Sequence, residues 1–569
     1  MPRAKGNIMN IWKRISIGAS ALALVGGGVL IVAAPVASAG ASSLPVFVHC
    51  GGPGGGPTGL IAAINTENSA GGGTIDLAAN CNFDFTIANN GTLSPTGANA
   101  LPVVTTAITI NGNGTALVGV AASFRILEVS APNGNLTLNG MQVTGGNSAV
   151  GGGGILSYHG TLVLNNTEVN NNTLVNVAGP SGPIGGGGIL NFGGMAFVNN
   201  SEVIDNTAPA DGGGGILNFG GQLSVINSAV DHNAAINGGG VVSGNGNAGA
   251  PPPGGVTLLI NNSEVNDNVA TCTLCGGNGF TAAGGIANAN AATIENSDVN
   301  GNTGVGGYGG GILNHGTMTI DNSDVNRNIA KSDTSGDFGN GGGIVNINLG
   351  NPGSGILTLT DTSVNNNSAS GEGGGIFNVG AATGLGLPNA TVTLNSDDVI
   401  GNTSPVGAGI ENQGSFNAVG SQISKNAASS SGAGIDNSAA LSLLNSEVTN
   451  NAVSGADGYG GGISSENVAD APAALVTVNG TFIGGNAAFS GGGIANGATL
   501  NLVDYTQVNK NTASVGGGIY NTGVVNLSGG SQVDHNVATT NGGGIFNVGT
   551  VNGVTSQDVE GNSPNNVAV

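Results

Sequence analysis

Fourteen times between residues 151 and 562 the chain repeats one phrase: a glycine run, an isoleucine or valine, an extended segment, an Asn/Ser/acid/Val step and a closing asparagine. Two copies are Gly213-Gly214-Gly215-Ile216-Leu217-Asn218 leading to Asn233, and Gly516-Gly517-Gly518-Ile519-Tyr520-Asn521 leading to Asn536. Successive closing asparagines lie 24 to 39 residues apart, with a floor near 25. From the apolar residue to its asparagine the distance is 16 or 17 in ten copies; the other four, starting at Val241, Ile344, Ile376 and Ile463, take 23 to 27. Other insertions precede the glycine run, as at 179–184. A unit that tolerates extra length only at fixed points reads as a stacked scaffold with loops.

Within each unit the extended pieces alternate, as in Thr317-Met318-Thr319-Ile320-Asp321 and Ala390-Thr391-Val392-Thr393-Leu394. That is the pattern of a strand with one buried face. No helical stripe appears after residue 70. About 25 residues holding two or three short strands make one coil of a parallel β-helix, in which each strand pairs with its equivalent one coil on, about 4.8 Å away. Equivalent positions then form columns, and the post-glycine isoleucines fill the interior. Glycine, 110 of 569 residues, permits the positive φ of sharp corners. Asparagine tolerates the left-handed region and can bond to the asparagine stacked on it. Fourteen coils would extend about 65–70 Å.

The Gly-Gly-Gly-Ile plus downstream Asn repeat resembles the secreted right-handed parallel β-helix proteins of the pectate-lyase-like fold, and in particular the polymorphic outer-membrane-protein type of repeat. The likeness covers about residues 44–562. It includes an opening segment with Cys50, Leu60-Ile61-Ala62-Ala63-Ile64-Asn65, Gly73-Thr74-Ile75-Asp76-Leu77, Cys81, Ile108-Thr109-Ile110-Asn111-Gly112 and Phe124-Arg125-Ile126-Leu127. The resemblance implies an all-β, right-handed, single-stranded solenoid. It constrains function weakly, because the fold hosts lyases, hydrolases, adhesins and inactive proteins.

The chain divides into 1–39, a secretory signal; 40–145, an N-terminal cap and first coils; 146–562, the repetitive coils; and 563–569, a tail. The signal has Arg3, Lys5, Lys13 and Arg14, an apolar run over 15–34, and Ala37-Ser38-Ala39 before Gly40, the layout that cleavage needs. An uncleaved anchor is the alternative, the run being about one bilayer long. Residues 58–69 form an amphipathic helix with Leu60, Ile61 and Ile64 on one face, suited to cover the first open coil. No comparable cap is evident at the C-terminus, so end-to-end self-association is expected. In an exported chain four cysteines favour disulfides: Cys50 with Cys81 stapling the cap, and Cys272 with Cys275 closing a small loop. The second pair is also a C-x-x-C, but the further ligands of a zinc site and a thioredoxin-like context are both missing.

Without 1–39 the chain keeps five basic residues against 31 acidic ones, a formal charge of −26. Such a surface repels nucleic acid and polyuronates. The remaining cations are Arg125, Arg327, Lys331, Lys425 and Lys510. Arg327, Lys425 and Lys510 share one register position, just before a closing asparagine, with Asn171, Asp205, His232, Asp267, Gly301, Asn366 and His535. A position that accepts every chemistry faces solvent. Asp397-Asp398 is the one adjacent aspartate pair, and neighbours on a strand face opposite sides.

The sharper constellation is an acidic column: Glu168, Glu202, Glu264, Asp298 and Asp324, continued at Asp398 and Glu447, interrupted by Ala229 and Ser363, and replaced by glutamine at 422, 507 and 532. Stacked carboxylates repel. A solvated acidic face is one reading, and a Ca²⁺ column the other, since Ca²⁺ takes several oxygen ligands. No other cofactor is expected, and the glycine runs lack the lysine of a phosphate loop. The sequence thus predicts a secreted or cell-surface β-helix with a structural, adhesive or carbohydrate-contacting role, using loops at 243–256, 270–282 and 347–355. The alternative is an extracellular polysaccharide lyase or glycoside hydrolase, which would need an acid and a cation converging on one face.

Overall fold

The computed structural model describes residues 44–90, 96–175, 185–244, 255–272, 283–333, 339–349, 354–380, 389–468 and 473–568. The chain divides into Met1–Ala37 and Ser38–Val569. All that follows concerns the second unit, and the expected signal segment lies outside the described residues.

One coil serves for all. An isoleucine strand, Ile189–Phe192, is followed by a long strand, Met195–Asn199, an acid strand, Glu202–Ile204, and a side strand, Thr207–Gly212, before the next glycine run. Each pairs in parallel with its equivalent in the next coil: Ile189 with Ile216, Met195 with Gln222, Glu202 with Ala229, and Thr207 with Ala234. Sixteen isoleucine-type strands form one unbroken sheet from Leu127–Ser130 to Val567–Ala568. The chain is a parallel β-helix, as its periodicity requires.

Period-2 alternation decides what is inside. In the long strand, Ala196 and Val198 are buried; in the acid strand, Val203 is; in the isoleucine strand, Ile189 is. All fourteen post-glycine apolar residues are fully buried, and they join one core that runs from Val48 to Val559. The residue after each isoleucine points the other way, yet many of these are buried too. Leu156, Leu190 and Leu217 form a separate apolar cluster, with Tyr158, Phe192 and Phe219 stacked beside it at 5.3 Å between ring centroids. Farther on, Leu313, Val345 and Phe377 form another. The first glycine of each run leaves the room for this layer: Gly341 has φ +66°, and a Cβ there would lie 2.1 Å from Val345 Cγ2.

Three ladders of polar side chains run through the corners. The closing asparagines make the first. Asn172 Nδ2 donates to Asn206 Oδ1 at 3.0 Å, Asn206 to Asn233 at 3.1 Å, and so on without a break to Asn536 and Asn562 at 3.1 Å. Each Oδ1 also accepts the backbone N–H of the preceding coil's asparagine, and each Nδ2 reaches a carbonyl, as Asn206 does to Val169. The left-handed residue is the one before the asparagine, with φ from +50° at Asn171 to +58° at Lys510. A second ladder follows the isoleucine strand, for example Asn314 to Asn346 at 2.9 Å and Asn346 to Asn378 at 3.1 Å. The third, ahead of the acid strand, is built of hydroxyls: Ser201 N–H donates to Ser228 Oγ at 3.0 Å.

The two ends differ. Helix α1, Gly56–Ala70, seats Leu60, Ala63 and Ile64 on the first coils, and the Cys50–Cys81 disulfide, with Cα atoms 5.4 Å apart, ties it down. Behind it, buried Arg125 and Glu128 form an ion pair at 3.0 Å. At the other end the sequence suggests no cap, but the tail supplies a partial one: it pairs with the last isoleucine strand and answers the asparagine ladder, while Thr550–Asn552 and Val559–Glu560 keep a partner on one side only. Asn566 Oδ1 accepts from Asn562 N and Nδ2 at 3.1 and 3.2 Å, the two bonds that a further ladder asparagine would have made. Asn565 Oδ1 accepts from Gly542 N and Gly543 N. The sequence pattern hides this because Asn565-Asn566 lacks the preceding Asn/Ser/acid/Val step.

Candidate functional site

The acidic column is continuous in space. Glu168 pairs in register with Glu202, Glu202 with Ala229, Ala229 with Glu264, and the series continues through Asp298, Asp324, Ser363, Asp398, Gln422, Glu447, Phe482, Gln507 and Gln532. Its members feel one another. Burial and then the Glu168 charge raise the Glu202 pKa; burial, Asp324 and Glu264 raise that of Asp298. Asn170 donates to Glu168, and Asn266 to Glu264 at 3.2 Å. Among the described residues no three His, Cys, Asp or Glu side chains are gathered closely enough to hold a metal ion.

The slot before each closing asparagine is an exposed left-handed corner. His232, Arg327, Lys425, Lys510 and His535 all have positive φ and exposed side chains. Arg125, by contrast, is wholly buried and committed to Glu128 and to the Thr96 and Val150 carbonyls. Asp397 and Asp398 diverge as the strand rule requires. Asp398 is exposed, whereas Asp397 is fully buried in the hydroxyl ladder, where it accepts the Thr362 and Asn395 N–H groups at 2.8 and 2.6 Å. Burial pushes Asp397 up to about 7 against the pull of those bonds. Cys272 is disulfide-bonded; its expected partner Cys275 lies outside the described residues. So does most of the three candidate contact loops, at 245–254, 273–282 and 350–353.

Towards the C-terminal end of the column, its character changes from acid to amide and a groove opens across four coils. Gln422, Glu447 and Phe482 from the column, Thr449 and Gly484 from the same strands, and Asn450, Gly485 and Lys510 from the left-handed corners line about 390 Å³. The ring of Phe482 lies over Gly484; a Cβ on that glycine would sit 2.3 Å from Phe482 Cζ. A half-buried aromatic ring is therefore set among two amides, a hydroxyl, a carboxylate and an ammonium. The groove is open and shallow rather than an enclosed cavity. Glu447 and Lys510 line the same groove although 63 residues part them, which spacing along one copy of the repeat does not reveal.

No family model and no curated protein matches the sequence. Among solved structures, the chain is similar to the A-module of a mannuronan C-5 epimerase from Azotobacter vinelandii, over 90% of this chain and 100% of that one, at 11% identity and a TM-score of 0.25.

Proposed function

We propose that the protein is an extracellular β-helix scaffold of the pectate-lyase-like kind that contacts carbohydrate on its acid-strand face, with the Phe482 groove as its sugar subsite. The observation that carries this reading is the Phe482 ring set close over Gly484 within a rim of amide, hydroxyl and charged groups. A pyranose has an apolar face for the ring and hydroxyls for the rim. The surrounding column carries negative charge, so the ligand is a neutral glycan rather than a uronate. The disulfide at Cys50–Cys81 fits an oxidising, extracellular compartment. Among the described residues no helix is long and apolar enough to cross a membrane.

The test is a glycan array with the full chain, scored for binding and for depolymerisation, alongside F482A and G484V, which removes the space under the ring. Loss of the stacking contact is expected to weaken neutral-glycan binding by about tenfold. Binding that survives both substitutions would place the contact elsewhere. One observation favours a second reading, a polysaccharide-cleaving enzyme: Glu447 and Lys510 give the same groove an acid and a cation. That reading requires cleavage products that disappear in E447Q and K510M.

A further inference from the structure

The position after the post-glycine isoleucine is apolar through eight successive coils: Leu156, Leu190, Leu217, Val242, Ala287, Leu313, Val345 and Phe377. The next three coils put Glu411, Asp436 and Ser464 there, and apolar residues return at Ala495, Tyr520 and Phe546. Glu411 and Asp436 are register partners on adjacent strands and are 4% and 7% exposed. The first glycine of each run closes over them: a Cβ on Gly407 would lie 2.8 Å from Glu411 Oε2, and one on Gly432 would lie 2.5 Å from Asp436 Cβ. Glu411 Oε2 is buried without a hydrogen-bond partner, while Oε1 accepts from Gln413 Nε2 at 3.3 Å. Gln413 also reaches Glu372 at 3.4 Å.

Two buried carboxyls need a counter-charge or protons. The groups that act on Glu411 are the Asp436, Glu372 and Glu466 carboxyls and the Gln413 amide; those that act on Asp436 are Glu466, Glu372 and the Ser431 and Ser464 hydroxyls. No cation is among them. The metal alternative is disfavoured because, among the described residues, no three such ligands converge. We propose that Glu411 and Asp436 form a proton-binding carboxyl pair, filled at neutral pH and below, that holds the side strand and its glycine corner onto the isoleucine sheet in the coils around 403–466. The unpartnered Oε2 is the site of the proton: as a hydroxyl it becomes a donor among the carboxyls of Asp436, Glu372 and Glu466. Burial and the neighbouring carboxylates raise Glu411 well above its ordinary range and Asp436 to about 7. Folding therefore takes up protons. The stabilisation is complete below the unfolded carboxyl range, near 4, and is lost as pH rises through about 7.

The experiment follows thermal unfolding of the full chain from pH 4.5 to 8.5, in wild type and in the isosteric double variant E411Q/D436N, with infrared difference spectra across the same range. Wild type is expected to lose stability over the window, and the double variant to melt at least about 2 °C higher than wild type at pH 8 and equally at pH 4.5. A protonated-carboxyl stretch present at pH 6 should vanish in the variant. Equal pH slopes in the two proteins would overturn the proposal. So would a rise in wild-type melting temperature at pH 8 on adding millimolar calcium that the variant does not share, which would assign the pair to a metal ion. Failure of glycan binding at Phe482 leaves these readouts untouched, since the pair lies on a different strand of the coil.

Discussion

Each closing asparagine completes four tasks at once: it accepts a backbone N–H and an amide N–H, and it donates to a carbonyl of the preceding coil and to the next asparagine. Asn451, for example, accepts from Asn426 N and Nδ2 at 2.9 and 3.0 Å and donates to Ile423 O and Asn486 Oδ1. At these buried positions an amide on so short a stem places an acceptor and a donor where both are used. Asn451→Ala would strand two donors and a carbonyl, at about 3–5 kcal/mol. Calorimetry should show that loss, and hydrogen exchange should show it centred on Asn426. These asparagines are legible in the sequence because the ladder demands the same side chain in every coil, whatever length is inserted between. The residue before them is not legible as a corner: its φ is fixed near +55° in many coils, but its side chain projects into water, so lysine, histidine and aspartate all serve and leave no signature.

At the scale of strands, alternation identifies the interior column and the acid column correctly, since period 2 fixes which residues share a face. It does not tell which outward positions are open to solvent. Glu202 and Glu411 both follow the outward phase, yet the first is exposed and the second lies buried beneath the Gly407 corner. The cover comes from the glycine corner at Gly407, which every copy of the repeat shares, so the glycine run alone does not tell a buried acid from a buried leucine. The same blindness hides the groove, whose lining is drawn from coils 88 residues apart between Gln422 and Lys510. For the acid column, the mutual repulsion of half-hydrated carboxylates is expected to yield to ordinary screening. Sodium chloride and calcium chloride at equal ionic strength should therefore raise the melting temperature alike. A rise specific to calcium, lost on converting Glu264 and Asp298 to their amides, would make the column a metal site.

In the molecule as a whole, one core and one unbroken isoleucine sheet join coils whose neighbours are alike, so stability is spread along the stack and the ends are its special points. The N-terminal helix is legible from its apolar face. The C-terminal closure is not, because two asparagines in a short tail are indistinguishable by composition from the many others. Deleting 563–569 is expected to expose the last coil and cause concentration-dependent, end-to-end association, seen as rising mass by light scattering. A constant mass would show that the tail is not what prevents stacking.

The asparagine ladder has a direction. Every side-chain amide donates toward the C-terminus and is answered by the coil that follows, so a chain interrupted after any coil ends in the same unanswered pair of N–H groups. In the vocabulary of polymerisation, each coil is a monomer with a living end, and Asn566 is the terminator that quenches it. The number of coils is then set by where that terminator stands in the sequence, and a duplicated 25-residue unit could lengthen the molecule anywhere before it without a new interface being invented.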